Sequence, residues 1–119
     1  IAGIESRGFI FGAALAQAMR CSFIPIRKKG KLPGECLSVS YELEYGNAEL
    51  EVQAEHLQDK NVVIIDDVLA TGGTASAAAN LVEMAEGRII QILFLIELDF
   101  LAGRKKLEKY RTESILHYS

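Results

Sequence analysis

Apolar positions along the chain fall into short runs separated by amphipathic stretches and glycine-rich breaks, the alternation that builds a layered α/β domain. Residues 1–4 (Ile-Ala-Gly-Ile) and 23–27 (Phe-Ile-Pro-Ile-Arg) read as strands, with a helical segment at about 8–19 between them. Residues 62–65 (Val-Val-Ile-Ile) are four β-branched side chains in succession, the pattern of a strand buried on both faces. The alanine-rich segment 75–84 has the composition of a helix. A strand over 88–98, a short helix over about 101–110 and a last strand near 114–118 follow. Strands alternating with helices predict an α/β fold, a mostly parallel twisted sheet with helices on both faces.

The stretch between 28 and 53 breaks the alternation. It holds two extended arms, 37–44 and 48–53, and the Gly46-Asn47 dipeptide between them suits a turn, so an antiparallel hairpin is expected. Glu42 and Glu44 on one arm and Glu49 and Glu51 on the other recur at every second residue, which gives the hairpin a polar face. With little core to hold it, the hairpin is expected to protrude and to be flexible.

Chemistry concentrates just after the buried run at 62–65. Asp66 and Asp67 come first, and Ala70, Thr71, Gly72, Gly73 and Thr74 lead into the helix. Ligands of open α/β sheets bind outside the carboxyl ends of the strands. Glycines at 72 and 73 let the backbone come close to a ligand. The amides at the helix start, with the Thr71 and Thr74 hydroxyls, make a site for a phosphate. Carboxylates one step away would repel that phosphate, so Asp66 and Asp67 are better aimed at sugar hydroxyls or a metal ion. Acids for a sugar and amides for its phosphate together suggest a phosphorylated ribose.

Composition narrows the classes. A chain of 119 residues, half of them apolar, is long enough for one domain with its own core, spanning 1–119. A formal net charge of −3 gives no basic face for nucleic acid. The basic residues do gather locally, at Arg27, Lys28, Lys29 and Lys31. No apolar run is long enough to span a membrane as a helix. Cys21 and Cys36 stand alone, which suits a reducing cytoplasm, and His56 and His117 are too far apart in sequence to suggest a ligand pair. The lysine of a nucleotide-binding P-loop is missing after Gly73, and no Gly-x-Gly-x-x-Gly is present.

The segment from Val63 to Thr74 resembles the signature of the type I phosphoribosyltransferases, which use phosphoribosyl diphosphate. Residues 3–9 (Gly-Ile-Glu-Ser-Arg-Gly-Phe) resemble the diphosphate loop of the adenine-specific members. Residues 27–34, followed by Ser40-Tyr41-Glu42-Leu43-Glu44-Tyr45-Gly46, resemble their flexible catalytic loop. The likeness covers nearly the whole chain. It implies that Arg7 lies in the diphosphate loop and that Lys28 and Lys31 offer mobile positive charge to the departing diphosphate. It also implies that Asp66 and Asp67 hold the ribose and that residues 70–74 hold its phosphate. Glu44 would assist proton movement at the base, Tyr45 would seal the site against water, and Leu98 would pack on the adenine ring.

The resemblance further implies transfer of phosphoribose to adenine, giving AMP and diphosphate, in a cytoplasmic homodimer. Magnesium would be the cofactor, held mainly by substrate oxygens and water. An amino-terminal segment that closes over the purine in this family has no counterpart, and 1–4 already reads as a core strand, so a missing amino-terminal segment is expected. Two other functions fit the same signature: a non-catalytic regulator that senses phosphoribosyl diphosphate, and a phosphoribosyltransferase for another base.

Overall fold

The described residues of the computed structural model, 1–43 and 46–119 with only the backbone of Leu43, form a seven-stranded sheet. Its parallel part consists of β1 (Ala2–Ile4), β2 (Ile24–Lys28), β5 (Asn61–Leu69), β6 (Arg88–Leu98) and β7 (Thr112–Tyr118). An antiparallel hairpin, β3 (Leu37–Leu43) and β4 (Gly46–Val52), extends one edge. The strand order is β3-β4-β2-β1-β5-β6-β7.

Helix α1 (Arg7–Met19) packs on β1 and β5, and α2 (Gly73–Met84) packs on the strands from β3 to β6. Ala75, Ala78, Ala79 and Val82 of α2 recur at three- and four-residue steps and are buried. Their small volume lets the helix lie close to the sheet. Ile4, Ile26, Ile64 and Ile92, one from each of four neighbouring parallel strands, are fully buried. Each contributes about 1.5–3 kcal/mol of hydrophobic stabilisation.

The order reverses at β1. From there the chain crosses to β2 on one side, while β5 lies on the other. The crevice outside the carboxyl ends of β1 and β5 is therefore the topological switch point, where α/β sheets bind ligands. β1 pairs with β5 only as far as Ile65, whereas β6 follows β5 through Leu69. Asp66 and Asp67 consequently lie inside the strand rather than after it, on the stretch that β1 has already left.

The hairpin differs from its sequence-based description in two respects. Leu43 pairs with Gly46 and Glu42 with Asn47, so Gly46 and Asn47 belong to β4 and not to the turn. Gly46 sits there at a φ of 112°, which glycine adopts without strain. The arm is also well supported by core: Leu50 and Val52 are buried, and Leu37, Val39 and Tyr41 pack against the same cluster. On the opposite face, where solvent was expected, Glu51 is buried. Its carboxylate accepts the backbone N–H groups of Lys31 and Leu32 at 3.1 and 2.8 Å, and Gln53 donates to the Pro33 carbonyl at 3.0 Å. The basic loop thus lies across the hairpin's polar face.

The expected helix at 101–110 is instead two short 3₁₀ segments, Asp99–Leu101 and Gly103–Leu107. Between them Ala102 takes a left-handed φ of 52°, which interrupts the helix.

Candidate active site

The crevice at the switch point is a cleft of about 570 Å³. Two loops build it. The turn after β1 supplies Glu5, Ser6 and Arg7, while β5, its loop and the start of α2 supply Asp66, Asp67, Ala70 and Thr74. Lys28 enters from the end of β2 and Tyr41 from β3. Six of the residues singled out from sequence, separated by up to 67 positions, are therefore brought together: Arg7, Lys28, Asp66, Asp67, Ala70 and Thr74.

The remaining candidates lie around it. Thr71 and Gly72 line a small adjoining hollow of about 80 Å³ with Asp66, Ala70 and Thr74. Gly73 opens α2. Lys31 is exposed on the loop that Glu51 anchors. Leu98 is the last residue of β6, paired with Tyr118 and away from the cleft's lining. Glu44 and Tyr45 fall outside the described residues.

The charges in the cleft are arranged for exchange. Arg7 Nε lies 2.5 Å from Asp67 Oδ2, with the arginine side chain 75 % exposed and the aspartate 16 % exposed. This ion pair spans the two loops, and an incoming anion can compete for the arginine. Asp66 Oδ1 accepts the Asp67 N–H at 2.8 Å. Burial pushes the Asp66 carboxyl up to about 7, and the Asp67 charge adds to the rise despite the opposing effect of Arg7 and the Asp67 amide. Asp66 is poised to change charge near neutrality when a ligand brings it hydrogen-bond donors.

The loop after β5 is shaped by contact with another backbone. Gly72, the residue before α2, has a φ of 89°, and a Cβ there would lie 2.5 Å from the Gly103 carbonyl oxygen. The glycine thus serves packing against Gly103 in addition to any ligand. Among the described residues a Cβ on Gly73 would meet nothing nearer than 3.9 Å. Among the described residues no side chain caps α2, leaving its first amides available beside the Thr74 hydroxyl, which donates to Tyr41 Oη at 3.5 Å.

Two groups that sequence reasoning passed over support the cleft. Glu5 accepts the Lys28 N–H at 2.9 Å and Arg27 Nε at 3.3 Å, tying the ends of β1 and β2 together. Burial raises its pKa, but the Lys28 amide and Arg27 outweigh that and hold the carboxyl below its ordinary range. Tyr41 could have been found by alternation, since it shares the apolar face of Leu37 and Val39. Glu5 lies within the 3–9 segment, but its type and spacing alone did not single it out. His117 pairs with Asp99 at 2.8 Å and is partly exposed, away from this cleft.

Comparison with known proteins agrees with this geometry. The sequence pattern of the phosphoribosyl transferase domain family matches residues 1–117. The adenine phosphoribosyltransferase of Acetivibrio thermocellus is 54 % identical over 119 residues, which cover 99 % of this chain and 70 % of that protein. The crystal structure of adenine phosphoribosyltransferase from Thermoanaerobacter pseudethanolicus superposes with a TM-score of 0.95 at 51 % identity, covering 98 % of this chain and 69 % of that one. The Saccharomyces cerevisiae enzyme, solved with adenine and an imino-altritol bisphosphate, gives a TM-score of 0.93 at 48 % identity, covering 97 % and 65 %. A switch-point cleft that joins two acids to a glycine-rich helix start, on a backbone shared with these enzymes, places the chain in the phosphoribosyltransferase family, among the adenine phosphoribosyltransferases.

Proposed function

We propose that the chain catalyses the transfer of phosphoribose from phosphoribosyl diphosphate to adenine, yielding AMP and diphosphate in purine salvage. The observation that carries this reading is the convergence of Arg7, Lys28, Asp66, Asp67, Ala70 and Thr74 on one cleft, with Thr71 and Gly72 in the adjoining hollow. Its parts match the parts of that substrate: cations for a diphosphate, acids for ribose hydroxyls, amides and hydroxyls for a phosphate.

In this reading, residues 70–74 hold the phosphate that does not react and so fix the sugar's position. Asp66 and Asp67 accept the ribose hydroxyls and stabilise positive charge as it develops at the anomeric carbon. The bond from that carbon to the diphosphate oxygen breaks, and the electron pair leaves with the diphosphate toward Arg7, Lys28 and Lys31. An adenine nitrogen forms the new bond and gives up its proton, a transfer that Glu44 assists. Tyr45 and the hairpin keep water out, and Leu98 packs on the base.

Magnesium fits the donor set. It binds through one or two carboxylates, with water and substrate phosphate oxygens completing its shell. Asp66 and Asp67 offer that number in the cleft. The ion would neutralise and orient the diphosphate. We further assign the chain to the cytoplasm as a homodimer. The free thiols Cys21 and Cys36 suit the first, and among the described residues no helix is long and apolar enough to cross a membrane. The exposed apolar side chains Ile10, Ile90 and Ile115 suit the second.

The direct test is AMP formation by the complete gene product from adenine, phosphoribosyl diphosphate and magnesium, with hypoxanthine, guanine and orotate run alongside. Adenine-selective turnover is expected, and turnover with another base alone would reassign the substrate. Tight binding of phosphoribosyl diphosphate without turnover of any base would make the protein a sensing regulator instead. Replacing Glu44 with Leu is expected to lower kcat about a hundred-fold while leaving the KM for phosphoribosyl diphosphate nearly unchanged. Steady-state kinetics check this, and an equal loss in both constants would remove Glu44 from the chemistry.

A further inference from the structure

Glu97 is a buried carboxylate, 6 % exposed, in a strand whose neighbouring residues Ile92 and Phe94 belong to the core. It is fully partnered. Arg104 approaches side-on, with Nε 3.2 Å from Oε2 and Nη2 2.6 Å from Oε1, and Ser114 Oγ donates to Oε1 at 2.8 Å. The third guanidinium nitrogen, Nη1, donates to the Thr112 carbonyl. Arg104 thereby ties β6 to β7, in the fork geometry that lysine cannot reproduce. The pairing holds Glu97 below its ordinary pKa range and raises Arg104 further.

The loop that this pair closes, 98–103, reaches the loop after β5 at its Gly103 end. Glu97 directly precedes Leu98, the residue assigned to the base. Arg104 directly follows Gly103, whose backbone is pressed against the loop after β5. A Cβ on Gly103 would overlap the Ala70 carbonyl and lie 3.0 Å from the Gly72 nitrogen. Gly103 is therefore the backing of the 70–72 backbone, and its position depends on where the Arg104 fork is anchored. None of these groups lines the cleft itself.

We propose that Glu97 and Arg104 are positioning residues, a clamp that seats Gly103 behind Ala70, Thr71 and Gly72 and so preorganises the phosphate pocket. This rests on the reading of residues 70–74 as the phosphate cradle. Loosening the clamp frees Gly103 to recede, and the amides that should meet the phosphate lose their fixed direction. Small displacements of this kind weaken binding out of proportion to their size, because a phosphate is held by several amides at once.

The test is Arg104→Ala and Arg104→Lys in the complete protein, with calorimetric titration of ribose 5-phosphate, steady-state kinetics and thermal melts on each. The alanine variant is expected to bind ribose 5-phosphate about ten-fold more weakly and to raise the KM for phosphoribosyl diphosphate similarly, with kcat changing less. The lysine variant should fall between it and the wild type. Guanidinium at low, non-denaturing concentration should restore binding to the alanine variant by refilling the fork. Wild-type affinity in a folded alanine variant would overturn the proposal. So would a loss that guanidinium does not restore and that only tracks the unfolded fraction. Should the alanine variant not fold, the lysine variant decides: weakened binding supports the clamp, and wild-type binding overturns it.

The wild-type control separates the two levels. If the wild type binds ribose 5-phosphate but makes no nucleotide from any base, the enzymatic assignment fails and the clamp is still judged by binding. If the wild type binds no ribose 5-phosphate, the cradle and the clamp fall together.

Discussion

Replacing Gly103 with Ala is expected to weaken binding of phosphoribosyl diphosphate about a hundred-fold and to cost about 1–3 kcal/mol of stability. The added methyl group has no place to go: it meets the Ala70 carbonyl on one side and the Gly72 nitrogen and Thr71 carbonyl carbon, each at 3.0 Å, on the other. These are backbone atoms, which cannot rotate aside as the tip of a long side chain can. The loop before α2 must shift as a whole, and its amides shift with it. Kinetics and thermal melts on the same preparation measure both effects. Gly73→Ala is the informative contrast, since its methyl would meet nothing closer than 3.9 Å among the described residues and Gly73 has no left-handed φ. That variant should melt like the wild type yet bind the sugar phosphate more weakly, because only the ligand's approach is obstructed. A Gly103→Ala variant with wild-type KM would show that the two backbones do not constrain each other.

Asp66→Asn should make the free protein more stable and the enzyme worse. In the folded chain burial lifts the Asp66 carboxyl to about 7 from an ordinary 3.8. Between those values the folded state holds a proton that the unfolded state has released, so unfolding gives up a proton and stability falls as pH rises. The penalty is complete above about pH 7 and absent below about pH 4. Asparagine removes it, so the variant should gain about 1 kcal/mol or more near pH 8, with the gain shrinking steadily toward pH 4. Function should move the other way. Losing the charged acceptor proposed for the ribose hydroxyls is expected to lower kcat/KM about 10- to 100-fold. The wild type should lose affinity for phosphoribosyl diphosphate as pH falls from 8 to 6, while the variant's affinity stays low and flat. Melting and kinetics across pH 5–8 test this, and a variant whose stability gain does not depend on pH would place the Asp66 pKa in its ordinary range.

The local chemistry was legible because it is contiguous. Val62 to Thr74 carries a buried strand, two acids, a glycine loop and a helix start within thirteen residues, and each follows from side-chain type and spacing alone. Asp66 and Asp67 were expected just after the strand and instead lie within it. The strand's true end depends on β6, which pairs through Leu69 after β1 has stopped at Ile65. Likewise the Gly46-Asn47 turn gave way to a register in which Leu43 faces Gly46, a choice that follows the packing of Tyr41 and Leu50 into the core. The helix expected at 101–110 yielded to the contact between Gly103 and Ala70, which local propensity cannot express.

The order of the strands and of the two long helices, the mostly parallel sheet and the residue types that suit a phosphate and a ribose were written in the chain itself, because each depends on neighbours within a few positions. Folding alone brings Arg7, Lys28 and Tyr41 into one cleft with Asp67, buries Glu51 beneath the basic loop, and sets Glu97 against Arg104 beside the glycine that backs residues 70–72. Those are pairings across strands and loops. The crossover from β1 to β2 on one side and the placement of β5 on the other bring them about, and periodicity along the chain carries no record of them.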